Sequence, residues 1–178
     1  MTEKVFMQGN IALGWGAVYS DCDAYYGYPI TPQNEVTEWF SKEFPKRGKV
    51  FLQTASETAT MNMLYGSGGA GARTMASTSG PGWALMQETM SHCANGEIPV
   101  VIAIVQRGGP GGGHVRHAQM DYFTATRGGG HGHYRTPALA PANVQEVFDL
   151  TQLAFWMADH YRNPVLIVSD AIIGQTGE

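Results

Sequence analysis

One apolar segment constrains the fold of this chain more than any other. Pro99–Val105 reads PVVIAIV and carries no polar side chain on either face. A strand with one face in water alternates apolar and polar residues, whereas a central strand of a parallel sheet is covered on both faces and is apolar throughout. The segment therefore predicts a central parallel strand with helices packed on both sides of the sheet.

Shorter strands and helices alternate around this segment. The other predicted strands are Lys4–Gln8, Asp23–Tyr26, Lys49–Gln53, Arg73–Ser77, Leu139-Ala140 and Val165–Val168. Predicted helices begin near Asn10, Pro32, Ser56, Gly80 and Asn143, with a further helical segment at Ala118–Arg127. Asn10, Ser56 and Asn143 are the predicted N-caps of their helices. Alternation of this kind is typical of βαβ units. The predicted fold class is α/β: a mainly parallel, doubly wound sheet of about six strands with helices on both faces, forming a single domain over residues 1–178.

Composition argues against several functions. The net charge is −4 and no basic cluster is present, which argues against nucleic acid as a partner. No apolar run reaches the roughly 20 residues of a membrane span, and the first residues do not resemble a signal peptide. Two cysteines, Cys22 and Cys93, are fewer than the roughly four that an iron–sulfur cluster takes. We interpret them as reduced, packed thiols of a cytoplasmic protein.

The charged fraction also bears on partners. Charged residues make up 15% of the chain, against roughly 25% in an average globular protein. This low fraction indicates that part of the surface is buried by partner subunits.

Three short islands rich in glycine, proline and hydroxyl groups follow predicted strands. They are Gly27–Pro32 (GYPITP), Gln53–Glu57 (QTASE) and Thr78–Gly82 (TSGPG). A glycine-rich loop follows the central strand, directly after Arg107. Because the carboxyl ends of parallel strands share one edge, where α/β sheets bind their ligands, we expect Thr31, Glu57, Ser79 and Arg107 to lie along that edge.

Each of these residues has a structural explanation as well as a chemical one. Glu57 is either an acid favoured at a helix start or a half-buried carboxylate that shares a proton with a ligand. Thr31 either caps the next helix or donates to a substrate carboxylate. Arg107 either forms a structural salt bridge or binds a small carboxylate with its guanidinium fork. Ser79 and Gly80 open a helix whose N–H groups suit an anion, without the lysine of a P-loop.

The histidines raise the question of a metal site. His114 and His117 form one loop pair, and His131 and His133 form another. Zinc usually takes three or four ligands at characteristic spacings, and no cysteine joins these pairs. No metal site is therefore predicted.

In combination and in order, these motifs resemble the α subunit of 2-oxoacid:ferredoxin oxidoreductases. The matching segments are Tyr28–Pro32 (YPITP), Gln53–Glu57 (QxxxE), Thr78–Glu88 (TSGPGxxLMQE), Gln106–Pro110 (QRGGP), Tyr161–Val165 (YRxPV) and Ser169-Asp170. The GGPGGG and GGGHGHYR segments look most like the branched-chain, 2-oxoisovalerate branch. One departure is Pro110–Gly113, which reads PGGG where the family commonly has PSTG.

The resemblance implies a domain that binds the aminopyrimidine of thiamine diphosphate. Glu57 would then be the catalytic acid at pyrimidine N1′, with Pro29, Ser79 and Gly80 as further cofactor contacts. Thr31 and Arg107 would bind the substrate carboxylate. Partner subunits would carry the pyrophosphate and Mg²⁺ site, with its GDG…N motif, and the iron–sulfur clusters.

The resemblance also implies an activity for the assembled complex. It would decarboxylate a 2-oxoacid oxidatively to acyl-CoA and CO2 and pass the electrons to ferredoxin. The chain would be inactive alone and would be a fragment or short form of a longer α subunit.

Two other functions remain open. A pyrimidine-binding subunit of a non-oxidative thiamine diphosphate decarboxylase would share the glutamate and the TSGPG-like turn, although QRGGP and YPITP favour the oxidoreductase. A non-catalytic assembly subunit of the same fold would not require Glu57.

Overall fold

The computed structural model describes residues 4–178 and shows one parallel sheet flanked by helices. The strands are β1 (Ala24–Gly27), β2 (Val50–Gln53), β3 (Thr74–Thr78), β4 (Val101–Gln106), β5 (Ala138–Leu139) and β6 (Val165–Asp170). The helices are α1 (Gly9–Tyr19), α2 (Asn34–Lys46), α3 (Glu57–Gly69), α4 (Gly80–Asn95), α5 (Tyr122–Thr126), α6 (Val144–Tyr161) and α7 (Ala171–Gln175). The strand order is β2-β1-β3-β4-β6-β5 and every neighbouring pair is parallel, so the predicted α/β class is confirmed.

The sheet separates two hydrophobic cores. One core lies under α1, α2 and α6, with Phe40 and Phe44 among its fully buried side chains. The other lies under α3 and α4 and includes Met61, Trp83 and Met86. Strand β4 contributes alternate side chains to both cores and is buried over its whole length, as its apolar sequence predicts.

The strand order places a topological switch between β1 and β3. The chain passes from β1 outward to β2 and then returns to the other side of β1 to form β3. In open α/β sheets the crevice beyond the carboxyl ends at such a switch is the usual ligand site. Islands Gly27–Pro32 and Thr78–Gly82 begin at the carboxyl ends of these two strands.

Strand β2 forms one edge of the sheet. Two of its apolar side chains, Val50 and Leu52, are exposed by 51% and 42%, whereas Phe51 packs against the core. One side of its backbone has no neighbouring strand among the described residues.

Three local predictions were wrong. Lys4–Gln8 is not a strand: only Gln8 forms an isolated antiparallel bridge, with Gly177. Asn10 does not cap α1, which begins one residue earlier with Gln8 at its N-cap. The helix expected over Ala118–Arg127 is limited to the five residues of α5, and Gly128 lies just beyond its C-terminal end.

The helix caps at Ser56 and Asn143 were predicted correctly. The Ser56 side chain accepts a hydrogen bond from the Ala59 N–H group at the start of α3. Asn143 accepts one from the Glu146 N–H group at the start of α6. Both satisfy N–H groups that a helix start otherwise leaves unpaired. In the described part of the chain, no helix is long and apolar enough to cross a bilayer.

A buried hydrogen-bonded network joins β1, β3 and α2. The Tyr25 hydroxyl lies 2.6 Å from Ser77 Oγ and 3.0 Å from Thr37 Oγ1. Both Thr37 and Ser77 donate to Gln33 Oε1, so this amide oxygen accepts two hydroxyl hydrogen bonds. Burial raises the pKa of the Tyr25 phenol to about 12, although the hydrogen bonds to Ser77 and Thr37 act in the opposite direction. The network fixes the start of α2 relative to the two strands at the switch.

Both cysteines are fully buried and reduced. Cys22 and Cys93 have no exposed surface and form no disulfide. Burial raises the pKa of each thiol to about 12. Because the thiolate is the reactive form, neither thiol is a nucleophile in the folded protein.

We expect Tyr25→Phe to lower the free energy of unfolding by about 1 kcal/mol, the typical net value of a buried hydrogen bond. The loss stays modest because Thr37 and Ser77 keep Gln33 as a partner. Urea unfolding of the purified protein measures the change. Tyr19→Phe is the matched control, since Tyr19 is 70% exposed. Equal losses in the two variants would contradict a role for the network.

We expect Cys22 and Cys93 to resist alkylation in the native protein at pH 8 and to react fully in guanidinium chloride. Folding keeps both thiols protonated and inaccessible at that pH. Peptide mass spectrometry after iodoacetamide treatment measures each site separately. Rapid labelling of either cysteine without denaturant would show that the surrounding core opens easily.

Candidate active site

The candidate site residues all lie at the carboxyl edge of the sheet. Pro29 and Thr31 follow β1, and Glu57 follows β2 as the first residue of α3. Ser79 and Gly80 follow β3, and Arg107 follows β4. Parallel pairing brings these four strand ends to the same edge, around the switch between β1 and β3.

Glu57 is a buried carboxylate without a protein partner. Only 7% of the residue is exposed. It begins α3, where the helix dipole favours a negative charge. No hydrogen-bond donor contacts its carboxylate within residues 4–178. A buried carboxylate with free acceptor capacity favours a ligand that supplies a donor or shares a proton.

The first turn of α4 lies against this carboxylate because residue 82 is glycine. A Cβ atom at Gly82 would lie 2.6 Å from Glu57 Oε1 and 2.3 Å from Thr78 Oγ1. Both distances are too short for any side chain. The starts of α3 and α4 therefore converge at Glu57, and two positive helix ends face one acid.

The turn that contains Thr31 is held by its carbonyl groups. Gln33 Nε2 donates to Tyr28 O at 3.0 Å, and Asn10 Nδ2 donates to Pro32 O at 3.0 Å. Arg107 Nη1 donates to Thr31 O at 2.9 Å. Donors from α1, β4 and the start of α2 thus fix the turn from three directions.

Because the turn is anchored through its carbonyl groups, the Thr31 hydroxyl and the Pro29 ring are held in fixed positions. Thr31 Oγ1 accepts a weak bond from Asn34 Nδ2 at 3.3 Å, which leaves the Thr31 hydroxyl proton free to be donated. Pro29 is exposed at the tip of the turn. The turn therefore presents one rigidly placed hydroxyl and one apolar ring to the crevice.

Arg107 forms no salt bridge with any described carboxylate. Its guanidinium group joins two backbone carbonyls, Thr31 O at 2.9 Å and Gly112 O at 2.8 Å. Its Nε atom is buried and has no partner among the described residues. Arg107 thus connects the Thr31 turn to the glycine-rich loop and retains N–H groups for a ligand.

Gly80 lies directly beside Arg107 and Asp121. A Cβ atom there would lie 3.4 Å from Arg107 Cγ and 3.8 Å from Asp121 Oδ1. Its φ of +22° is also a conformation that glycine tolerates best. Burial raises the pKa of the Asp121 carboxyl group, and the Arg107 and Gly80 N–H groups together with the Arg107 charge oppose that rise. Asp121 is thus a second acidic side chain at the site, next to Arg107.

Ser79 is the N-cap of α4, but its side chain makes no capping hydrogen bond. The hydroxyl is fully buried and has no described partner. The Ser79 carbonyl instead accepts from the Gly82 and Trp83 N–H groups. The Ser79 hydroxyl therefore stays unpaired at the start of the helix.

The glycine-rich loop lies outside this cluster. Residues 110–117 are all exposed, including His114 and His117. His131 and His133 line a separate polar cavity of about 500 Å³ beside Glu88 and His92. Within residues 4–178, no three His, Cys, Asp or Glu side chains converge as a metal site would require.

The sequence predictions did not include four residues that build the site: Asn10, Gln33, Thr78 and Asp121. A signal for Gln33 was present, because Gln33 and Thr37 lie on the same helical stripe as the core residues Phe40 and Phe44. Polar residues on such a stripe indicate a buried network. Thr78 lay in the TSGPG island but was given no role, and no comparable pattern marked Asn10 or Asp121.

The residues present fit the aminopyrimidine of thiamine diphosphate. A ring nitrogen that shares a proton requires a buried carboxylate with free acceptor capacity, and Glu57 is one. The unpartnered buried hydroxyl of Ser79 leaves one further polar group at the start of α4. The roles of Pro29, Thr31, Glu57, Ser79, Gly80 and Arg107 stay predictions.

Known proteins resemble this chain over nearly its whole length. The family described as "Pyruvate flavodoxin/ferredoxin oxidoreductase, thiamine diP-bdg" matches residues 15–178. The ketoisovalerate oxidoreductase subunit VorB of Methanothermobacter thermautotrophicus is 49% identical over 97% of this chain and 49% of that protein. The 2-oxoglutarate synthase subunit KorA of the same organism is 42% identical over 100% of this chain and 47% of that protein.

A solved structure has the same fold. The 2-oxoglutarate:ferredoxin oxidoreductase of Magnetococcus marinus, with 2-oxoglutarate, coenzyme A and succinyl-CoA bound, superposes with a TM-score of 0.91 at 35% identity. The match covers 97% of this chain and 30% of that one. The chain spans about half the length of the curated relatives VorB and KorA. The family match over residues 15–178 and the identity to VorB show that this chain belongs to the thiamine diphosphate-binding domain family of the pyruvate flavodoxin/ferredoxin oxidoreductases.

Proposed function

We propose that this chain supplies the pyrimidine-binding half of the active site of a 2-oxoacid:ferredoxin oxidoreductase. The assembled enzyme decarboxylates a 2-oxoacid to acyl-CoA and CO2 and passes two electrons through iron–sulfur clusters to ferredoxin. The observation that carries the proposal is Glu57: a carboxylate 7% exposed, without a donor among the described residues, at the switch of a chain in a thiamine diphosphate-binding family.

Glu57 is the catalytic residue of this half-site. Its carboxylate holds and exchanges a proton at pyrimidine N1′, and burial keeps water from competing for that proton. Thiamine diphosphate, when bound, supplies the carbanion chemistry at the 2-oxo carbon. Pro29, Ser79 and Gly80 shape the pocket that receives the pyrimidine ring.

Thr31 and Arg107 bind the substrate carboxylate. The anchored turn places the Thr31 hydroxyl, and Arg107 is bound to the carbonyl of the same residue. The two groups are therefore fixed relative to each other before substrate arrives. Such preorganisation reduces the entropy lost on binding.

Partner subunits complete the site. The sequence contains no GDG motif and only two cysteines, so the pyrophosphate, the Mg²⁺ ion and the iron–sulfur clusters belong to other parts of the enzyme. Coenzyme A and ferredoxin are the remaining reactants. The buried reduced thiols fit a cytoplasmic location.

The substrate we assign is a branched-chain 2-oxoacid of the 2-oxoisovalerate type. Identity to a ketoisovalerate oxidoreductase subunit is 49%, against 42% for a 2-oxoglutarate synthase subunit. Residues 1–178 form one pyrimidine-binding domain of an α subunit.

We expect Glu57→Gln in the assembled enzyme to lower the rate of CO2 release at least ~100-fold, the lower range for loss of an acid–base group. Glutamine preserves the shape of the side chain, so assembly is expected to remain intact. Release of labelled CO2 from 2-oxo[1-¹⁴C]isovalerate measures the rate. Glu97→Gln, at an exposed acid, is the control. Near-normal turnover by the Glu57 variant would rule out the catalytic role and favour a non-catalytic subunit.

We expect Thr31→Val to raise KM for the 2-oxoacid ~10-fold, since a hydrogen bond to a charged group contributes roughly 1.5–3 kcal/mol. The affinity for thiamine diphosphate should stay unchanged, because the anchoring carbonyl of residue 31 is retained. Steady-state kinetics with several 2-oxoacids measures the effect. Thr31→Ser keeps the hydroxyl and should behave as the parent enzyme. Unchanged KM for every 2-oxoacid in the valine variant would exclude this contact.

A further inference from the structure

Thr78 carries an unpaired hydroxyl beside the candidate catalytic acid. The residue ends β3 and has no exposed surface. Its Oγ1 atom has no hydrogen-bond partner in the part of the chain that the structure describes. An unsatisfied buried hydroxyl destabilises the folded protein, so a native protein seldom retains one without a use.

The position of this hydroxyl is set by the first turn of α4. Thr78 Oγ1 and Glu57 Oε1 lie 2.3 Å and 2.6 Å from the same point, the place where Gly82 would carry a Cβ atom. The absence of that side chain leaves a narrow space that both oxygen atoms border. Strand β3 supplies the hydroxyl, and the start of α3 supplies the carboxylate.

The two groups are chemically complementary. The threonine hydroxyl is a donor without an acceptor, and the Glu57 carboxylate accepts from no described donor. Neither group makes a described hydrogen bond that would prevent a side-chain rotation from bringing them together. A hydroxyl bond to one carboxylate oxygen fixes the plane of the group and leaves the other oxygen for the ligand.

We propose that Thr78 is a positioning residue for Glu57: when the cofactor binds, its hydroxyl donates to the carboxylate and orients it toward the pyrimidine-binding crevice. This inference rests on the proposed role of Glu57. It differs from the roles proposed for Ser79 and Gly80, because Thr78 acts through Glu57 and not by contact with the cofactor.

The inference is tested with Thr78→Val, which has the same shape without the hydroxyl, and with Thr78→Ser, which keeps it. In the cofactor-free assembled enzyme we expect the valine variant to melt at the same temperature as the parent or higher, because an unpaired buried hydroxyl is removed. With thiamine diphosphate and Mg²⁺ added, the rise in Tm should be smaller for the valine variant. Calorimetric titration should give a ~10-fold weaker Kd for valine, matching a lost charged hydrogen bond, and a near-parent Kd for serine.

A double-mutant cycle separates positioning from packing. In a Glu57→Gln background the uncharged amide accepts more weakly, so Thr78→Val should change Kd by less than about twofold. A full ~10-fold effect in that background would overturn the inference, because Thr78 would then act independently of Glu57. A serine variant as weak as valine would also overturn it, because the hydroxyl alone would then not be sufficient. A lower Tm of cofactor-free Thr78→Val would overturn it as well, because the hydroxyl would then be paired before the cofactor binds.

The failure of this inference is distinguishable from failure of the proposed function. If Glu57→Gln abolishes turnover and Thr78→Val leaves Kd unchanged, only the positioning role of Thr78 is wrong. If Glu57→Gln itself retains normal turnover and cofactor affinity, the proposed function fails, and the role of Thr78 fails with it.

Discussion

The geometry of the site depends on the close approach of two helix starts. Helix α4 can lie against the Glu57 carboxylate only because residue 82 has no side chain. Two helix dipoles then converge on one acid, in a place closed to water on most sides. Electrostatic groups that are fixed before a ligand arrives need no reorganisation during the reaction. The absence of a single methyl group thus determines the environment of the acid.

The Thr31 turn illustrates a second constraint. A short connection at a sheet edge has few partners within its own sequence, so its backbone carbonyls must find donors elsewhere. Here these donors come from α1, β4 and the start of α2. The arginine among them also binds the carbonyl of Gly112 in the glycine-rich loop. A displacement of that loop is therefore transmitted directly to the turn through one side chain.

The sequence predicted the layers and most strands of this fold. The apolar run at Pro99–Val105 and the caps at Ser56 and Asn143 depend on local rules, and the structure follows them. Lys4–Gln8 was predicted wrongly, because β propensity alone does not supply a neighbouring strand.

The site was only partly predictable. The predicted strand ends identified the edge of the sheet on which the candidate residues lie, because parallel strands all end at the same edge. The anchors Asn10 and Gln33 and the hydroxyl of Thr78 become recognisable only when distant segments pack together. Long-range contacts of this kind leave no periodic pattern in a single sequence.

The open side of β2 has a practical consequence for producing the protein. Its exposed Val50 and Leu52 lie along an edge with free backbone hydrogen-bonding groups. Such an edge is a template for pairing with other chains. Purified on its own, this chain is therefore prone to self-association through β2, and a monodisperse sample requires that edge to be covered.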